Sequence, residues 1–564
     1  WLCSGQSNME MPLSGWPPTD TLLNSAKEIA SADFPKIRLF TVTRATAANP
    51  RDDCIGSWSL CSPETAESFS ATAYFFGREI HKELGIPVGL IHSSWGGTPV
   101  EAWIDKSHLE KTAHFSETLQ KLEESADKVK EVEAWLEKQP VKELPKDQEN
   151  PWEGLSFNDK KCAQTGFNDN EWKSMKLPQP WENTEVGAFD GVVWFRKQIE
   201  LPKKMTGKTL TLELGPIDDM DVTYINGEKA GAMMKEGVWS VNRKYQIPAD
   251  MIREGKNLIA VRVLDNRGGG GLVGEPAQMK LYVSNDTNQT LSLSGEWKYL
   301  PVAQFEGNKF YLFDIESQEF YSKINIPIEI GPHTPTCLYN GMIAPLKPFT
   351  IKGAIWYQGE SNVGRARQYS EIFPAMIRGW RDQWGIEEFP FYFTQIAPWK
   401  YGKGSHSEKL REAQRLSLSV PHTGMAVTLD IGSLQTIHPA NKQDVGKRLA
   451  LWALAKDYGK ELVYSGPLYD SKKIQGNRII LSFTHTGSGL KAKNGKLKDF
   501  EIAGADGQFK PAKAGIEGDK VVVSHQAVKD PQNVRYAWSN RAQASLFNEE
   551  GLPASSFSTL EGVE

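Results

Sequence analysis

Ser7 stands in a run whose residue types suit nucleophilic chemistry. A short apolar start, Trp1-Leu2-Cys3, leads into Gly5-Gln6-Ser7-Asn8, with Met9-Glu10-Met11 beyond. The pattern predicts a sharp turn that holds a serine hydroxyl at the end of a strand and the mouth of a helix. There the helix N-terminus favours negative charge, and backbone N–H groups are free to hold an oxyanion. A serine hydroxyl is too weakly acidic to ionise unaided. Acyl transfer through it needs a base within hydrogen-bond reach and donors for the developing oxyanion. Two later segments carry such groups. Trp356-Tyr357-Gln358-Gly359-Glu360-Ser361-Asn362 follows one apolar strand, and Ile437-His438-Pro439 follows another. Of the 10 histidines, His438 is the best base. It falls between the last strand of its section and the closing helix, where a loop can carry it over the strand ends.

Those groups need a scaffold, and two sections of the chain read as alternating strand and helix. In the first, a strand is expected over Ile37–Val42, a helix over Ser68–Leu84 and a buried strand over Ile86–His92 that ends in Ser93-Ser94-Trp95-Gly96-Gly97. The second holds strands at Lys352–Tyr357, Phe389–Ile396 and Met425–Leu429, with helices over Tyr369–Trp384 and Lys442–Tyr458. Continuous apolar strands alternating with helices predict an α/β fold, a parallel sheet with helices on both faces. Ligands in such sheets sit at the carboxyl ends of strands, where every candidate segment falls.

Between the two sections the texture changes. Ala113–Lys138 reads as an amphipathic helix and Gln139–Trp152 as a Pro- and Lys-rich linker. From about Ser156 to Leu300 short strands predominate (Val192–Leu201, Lys208–Leu214, Asp221–Ile225, Asn257–Leu264), with turns at Asn226-Gly227 and Arg267–Gly271. A β-sandwich inserted in the α/β domain is the expectation. Asp218-Asp219 with Asp221 reads as an exposed acidic turn rather than a Ca²⁺ site. Residues beyond Glu461 are again β-rich, with strands at Ile479–Phe483, Lys520–Ser524 and Asn533–Trp538. The expected domains are 1–150 and 306–460 for the two halves of the α/β domain, 151–305 for the insert and 461–564 for a C-terminal β-sandwich.

Composition narrows the partners. At 564 residues and a formal net charge of −5 the chain has no basic footprint, which argues against nucleic acid. No apolar run approaches the roughly 20 residues of a membrane span. The 18 Trp and 16 Tyr offer flat faces suited to sugars, although most are expected in cores. The five cysteines show no metal-ligand spacing, no phosphate-binding loop is present, and neither cofactor nor metal is expected. Cys54 and Cys61 could close a small loop, and the sequence leaves oligomeric state open.

Taken together, the Ser7, Gln358 and His438 segments resemble the SGNH hydrolases, in the carbohydrate-esterase branch that includes sialate O-acetylesterases and acetylxylan esterases. Lys442, Gly446 and Arg448, downstream of His438, extend the match. The run Gly191–Pro202, with Tyr224-Ile-Asn-Gly and Asn257–Val263, resembles the jelly-roll sugar-binding domain of family 2 glycoside hydrolases. The resemblance implies an SGNH-like sheet, Ser7 as nucleophile, His438 as base, and oxyanion donors at Gly96, Gly97 and Gln358. It also implies an acetylated carbohydrate as substrate, sialate 9-O-acetyl groups first and acetylated xylan second, with a sugar-binding protein of little hydrolysis as the other class. Arg365 and Arg367 could meet a sugar carboxylate. The strand at Trp1–Cys3 is shorter than the usual 5–6 residues. Upstream sequence is therefore expected, and the resemblance implies a β-domain and a signal peptide there, hence a secreted or periplasmic enzyme.

One member of the expected site stays open. Many SGNH enzymes carry Asp three residues before the histidine, and relatives in this branch carry it two before, but here Gln435 and Thr436 stand there. Asp430, in an Asp-x-Gly usual for the branch, is the carboxylate candidate. A dyad in which a backbone carbonyl such as that of Gln435 accepts the imidazole proton competes with it and is slightly favoured. Glu360 ranks below both.

Overall fold

Strands without polar alternation need cover on both faces, and the central strands of this chain obtain it. The structure, a computed structural model, describes all of the chain except residues 146–147, 188, 324–327, 329, 387, 403 and 564. Residues 146 and 147 of the expected linker lie outside the described residues. The chain divides into two compact units, residues 1–123 with 330–564 and residues 124–329.

In the first unit, strands β1 (Leu2–Gly5), β2 (Phe34–Thr41), β3 (Trp58–Cys61), β4 (Val88–Ser94), β5 (Ala354–Tyr357), β6 (Phe391–Thr394) and β7 (Thr423–Ala426) form one sheet in the order β7-β6-β5-β1-β4-β2-β3. Neighbours run parallel except β2 and β3. Four helices position the site: α1 (Ser7–Glu10), α2 (Ala71–Leu84), α3 (Ala366–Trp384) and α4 (Lys442–Lys456). Alternate strand residues feed two cores. Leu2, Ile91, Trp356 and Phe393 pack with Tyr369, Phe373 and Trp380 of α3. Cys3, Leu90, Ile355 and Tyr392 pack with Tyr74 and Phe75 of α2 and with Leu449 and Trp452 of α4. Each such fully buried side chain contributes about 1.5–3 kcal/mol of apolar transfer.

From β1 the chain builds one side of the sheet through β2, β3 and β4, then re-enters at β5 on the other side of β1. The crevice at such a reversal is where open α/β sheets bind ligands, and Ser7 follows β1 there. Gly5 makes the approach possible. Its φ is +141°, and a Cβ on it would lie 2.2 Å from the Tyr357 carbonyl oxygen. Side chains of the C-terminal β-rich segment, among them Leu481, Ile502, Val523 and Phe557, belong to the same apolar cluster as Trp356.

The second unit consists mainly of antiparallel β-structure. Its longest pairing joins Gly191–Leu201 to Gly255–Asp265, and Val193, Phe195, Leu212, Val261 and Leu281 share one core. Val141–Glu143, expected within a linker, pairs instead with Lys309–Tyr311. The acidic run at Asp218–Asp221 is not an exposed turn. Asp221 is fully buried, with the Arg243 Nε donating to its Oδ1 over 2.9 Å. Among the described residues no three His, Cys, Asp or Glu side chains are arranged to hold a metal ion, and no helix is long and apolar enough to cross a membrane. All five cysteines are free thiols, so Cys54 and Cys61 close no loop.

The backbone approach at Gly5 sets a clear expectation. Gly5→Ala forces a side chain against the Tyr357 carbonyl at a positive φ, costing at least about 2–3 kcal/mol. Thermal unfolding followed by circular dichroism should show a large drop in Tm, and an unchanged Tm would contradict the close β1–β5 approach.

Candidate active site

The turn after β1 is fixed from three sides before any chemistry is considered. The Gln6 N–H donates to the Tyr357 carbonyl over 3.0 Å. Its side-chain Oε1 accepts from the Gly359 and Ser361 N–H groups, each over 3.3 Å. Asn8 is fully buried, and its Nδ2 donates to Glu360 Oε1 at 2.6 Å and to the Ile437 carbonyl at 3.1 Å. The Thr72 hydroxyl donates to the Asn8 carbonyl at 3.1 Å, tying α1 to α2. Ser7 is left partly exposed between these anchors.

The Ser7 hydroxyl donates to His438 Nε2 over 2.9 Å. On the other side of the ring, Nδ1 donates to Asp20 Oδ2, also over 2.9 Å. The second oxygen of Asp20 accepts from the Thr436 hydroxyl, which in turn accepts from the His438 N–H at 3.0 Å. Asp20 is held in a tight turn by paired backbone bonds with Trp16, whose ring meets the imidazole edge-on at 5.1 Å. Burial alone would push the Asp20 carboxyl up, but its bonds to Thr436 and His438 outweigh that and hold it below the ordinary carboxylate range. Burial pulls His438 down. Asp20 works against that pull, Lys442 adds to it, and the imidazole stays below its ordinary value. A neutral, oriented imidazole next to a serine hydroxyl is what proton abstraction needs.

Of the sequence-derived site, then, Ser7 and His438 are brought together and Asp430 is not. Both Asp430 oxygens accept from Arg448, at 2.7 and 2.6 Å, and the same guanidinium donates to the Val427 carbonyl. Asp430 thus ties the end of the last strand to α4, and a dyad resting on the Gln435 carbonyl is likewise set aside by Asp20. Glu360, ranked below both, accepts from the Asn8 side-chain amide. Sequence reasoning missed Asp20 because it is distant from His438 in the chain. The available signal was Thr436, which fills the position of the missing acid and bonds to its replacement.

The expected oxyanion donors also need correction. The Gly96 N–H donates to Glu10 Oε2 over 2.8 Å and so is already engaged. Gln358 is fully buried, and its Nε2 donates to the Thr98 carbonyl and to Asn362 Oδ1 at 3.2 and 2.6 Å. It braces the loop after β4 instead of facing the serine. Gly97 keeps an open face, since a Cβ there would meet nothing within 4 Å. Among the described residues the N–H groups of Ser7 and Gly97 have no protein acceptor, and the first N–H groups of a helix have no intrahelical partner by position. Arg365 is committed to Glu101 at 2.5 Å.

A serine–histidine–carboxylate line at the carboxyl edge of an α/β sheet defines the serine hydrolase class. Comparison with known proteins narrows it. Residues 330–455 match the family model described as carbohydrate esterase, sialic acid-specific acetylesterase. The chain is 23% identical over 574 residues to the sialate O-acetylesterase of Rattus norvegicus, covering 96% of this chain and 72% of that protein. It is 35% identical over 194 residues to the sialate O-acetylesterase of Homo sapiens, covering 31% of this chain and 37% of that one. A crystal structure of a novel carbohydrate acetylesterase from Xanthomonas citri superposes over 100% of this chain and 80% of its own, with TM-score 0.58 and 26% identity. Over residues 330–455 the chain is thus similar to the sialic acid-specific acetylesterases among the carbohydrate esterases.

The two carboxylates separate cleanly in an experiment. Asp20→Asn should lower kcat by up to about 10⁴-fold, as loss of an orienting carboxylate can. Asp430→Asn should lower Tm and leave kcat within about tenfold. Because activity needs neutral His438, the acid limb of wild-type kcat/KM should fall below the ordinary imidazole value of about 6.5. The reverse ranking of the two variants would contradict the assignment.

Proposed function

We propose that this chain removes O-acetyl groups from carbohydrates, with 9-O-acetylated sialic acid as first substrate, on an SGNH-type sheet with an inserted jelly roll. The observation that carries the reading is the unbroken line from the Ser7 hydroxyl through His438 to Asp20. Ser7 Oγ attacks the acetyl carbonyl carbon while His438 Nε2 takes its proton. The Ser7 and Gly97 N–H groups hold the oxyanion of the tetrahedral intermediate. On collapse, His438 returns the proton to the sugar oxygen, the sugar leaves, and the acetyl group remains on Ser7. Water then attacks that ester with His438 again as base, and acetate departs. These steps draw on protein groups and water alone.

Relatives named sialate O-acetylesterase support the sugar, and the Xanthomonas citri carbohydrate acetylesterase supports the wider class. As Arg365 is by Glu101, Arg44 at the rim is already engaged by a carboxylate and does not by itself favour an acidic sugar. Its guanidinium bonds to Glu10, lies 5.2 Å over the Trp95 ring and is 46% exposed. Glu10 in turn accepts from Gly96, which packs against Ser7. On this reading residues 151–305 are a sugar-binding-like module within the hydrolase, 461–564 a C-terminal β-domain, and the enzyme is secreted or periplasmic.

Direct measurement of acetate from 9-O-acetylated sialosides, acetylated xylan and esters of increasing acyl length tests the substrate. The sialosides should be turned over best and acetyl preferred over butyryl, since an extra methylene in a tight pocket costs about 1–3 kcal/mol. Ser7→Ala should lose at least about 10³-fold in kcat. Preference for xylan would move the substrate to neutral polysaccharide, and no release from any ester would favour a binding protein.

A further inference from the structure

We infer that Lys442 is a positioning residue of this site: its buried ammonium locks the Ser7 turn to the His438 loop and, by its charge, favours the proton-accepting form of His438. The inference rests on the reading of His438 as the base. Lys442 is fully buried at the first position of α4. A cation there is unfavourable twice over. It opposes the positive end of the helix dipole, and it gives up hydration that a surface lysine keeps. Helix stability therefore does not explain it, since Asn441 caps α4 and Asp444 already supplies the acid of the first turn.

Its partners explain it better. The Lys442 Nζ donates to Asn8 Oδ1, and the ammonium lies 5.3 Å from the centre of the Tyr357 ring. With its oxygen taken by Lys442, the Asn8 amide can point only its Nδ2 at Glu360 and at the carbonyl of Ile437, the residue before His438. One ammonium thus fixes the orientation of the side chain that joins the nucleophile turn, the loop after β5 and the base loop.

Charge adds a second effect. The groups facing His438 are Asp20 from its turn, Glu10 and Ser7 from α1, and Lys442 from α4. Those facing Lys442 are Glu360 and Asp20, with Tyr357 beneath it, and Tyr401 lies near Glu360. Burial brings Lys442 down to about 7 against the pull of Glu360 and Asp20, so its ammonium form gains as pH falls toward the range in which His438 titrates. A second cation whose field reaches the ring disfavours imidazolium.

Three variants separate charge from geometry. Lys442→Gln keeps a donor for Asn8 and removes the charge, Lys442→Met removes both, and Lys442→Arg keeps the charge. The readouts are the pH profile of kcat/KM on an aryl acetate and the His438 titration by NMR, assigned with His438→Gln. Lys442→Gln and Lys442→Met should move the acid limb and the NMR midpoint to higher pH by several tenths to about one pH unit. Lys442→Arg should leave both in place, and Lys442→Met should lose a further tenfold or so in kcat relative to Lys442→Gln. A Lys442→Gln midpoint that superimposes on wild type overturns the inference. If no ester is turned over, the NMR midpoint still moves when Lys442 acts on His438, so failure of the esterase reading is told apart. If Lys442→Met does not fold, the Lys442→Gln and Lys442→Arg midpoints decide alone.

Discussion

The Asn8 side chain is the constraint on which the rest of the site depends. It has no exposure to water, and its amide reaches Glu360, the Ile437 carbonyl and Lys442 at once. Each of those groups belongs to a different loop or helix at the carboxyl edge of the sheet. A buried amide left with an unmade bond costs about 1–3 kcal/mol, so the three segments are held to one arrangement. Ser7 precedes this residue and His438 follows Ile437. The 2.9 Å separation between hydroxyl and imidazole is therefore set by a neighbour of each, not by either reactive group.

Much of this was legible in the sequence because the pattern was local. Helices expected at Ser68–Leu84 and Tyr369–Trp384 occur as Ala71–Leu84 and Ala366–Trp384, and mixed α/β structure follows from apolar strands alternating with such helices. Ser7 and His438 were found because their turns carry recognisable residues at strand ends. Asp20 was not, because nothing in Trp16-Pro17-Pro18-Thr19-Asp20 marks it as the partner of a residue so far along the chain. Its role depends on a turn closed by Trp16 and on the Thr436 hydroxyl, both tertiary facts. Asp430 misled for the opposite reason. It is near His438 in sequence, but Arg448 lies on the adjacent helix and takes both of its oxygens.

Gln358 and Gly96 show how a segment can be identified while the use of its side chain or N–H is not. The strand-end positions were legible, yet the direction of an amide or N–H depends on acceptors from elsewhere in the fold. Gln358 is turned away by Thr98 and Asn362, and Gly96 is taken by Glu10. Glu10 in turn pairs with Arg44, so the rim beside Ser7 holds a carboxylate and a guanidinium in contact. A polar, ion-paired rim of that kind suits a hydroxyl-rich sugar more than an aliphatic chain.

The central claim is that Ser7 carries the acyl group between two half-reactions. Rapid acid quench during turnover of an aryl acetate, followed by peptide mass spectrometry, tests it most directly. The account predicts a gain of one acetyl group on the peptide containing Ser7, lost again as substrate is exhausted. Steady turnover with the acetyl group on another residue, or with none on the protein at any time, would contradict it.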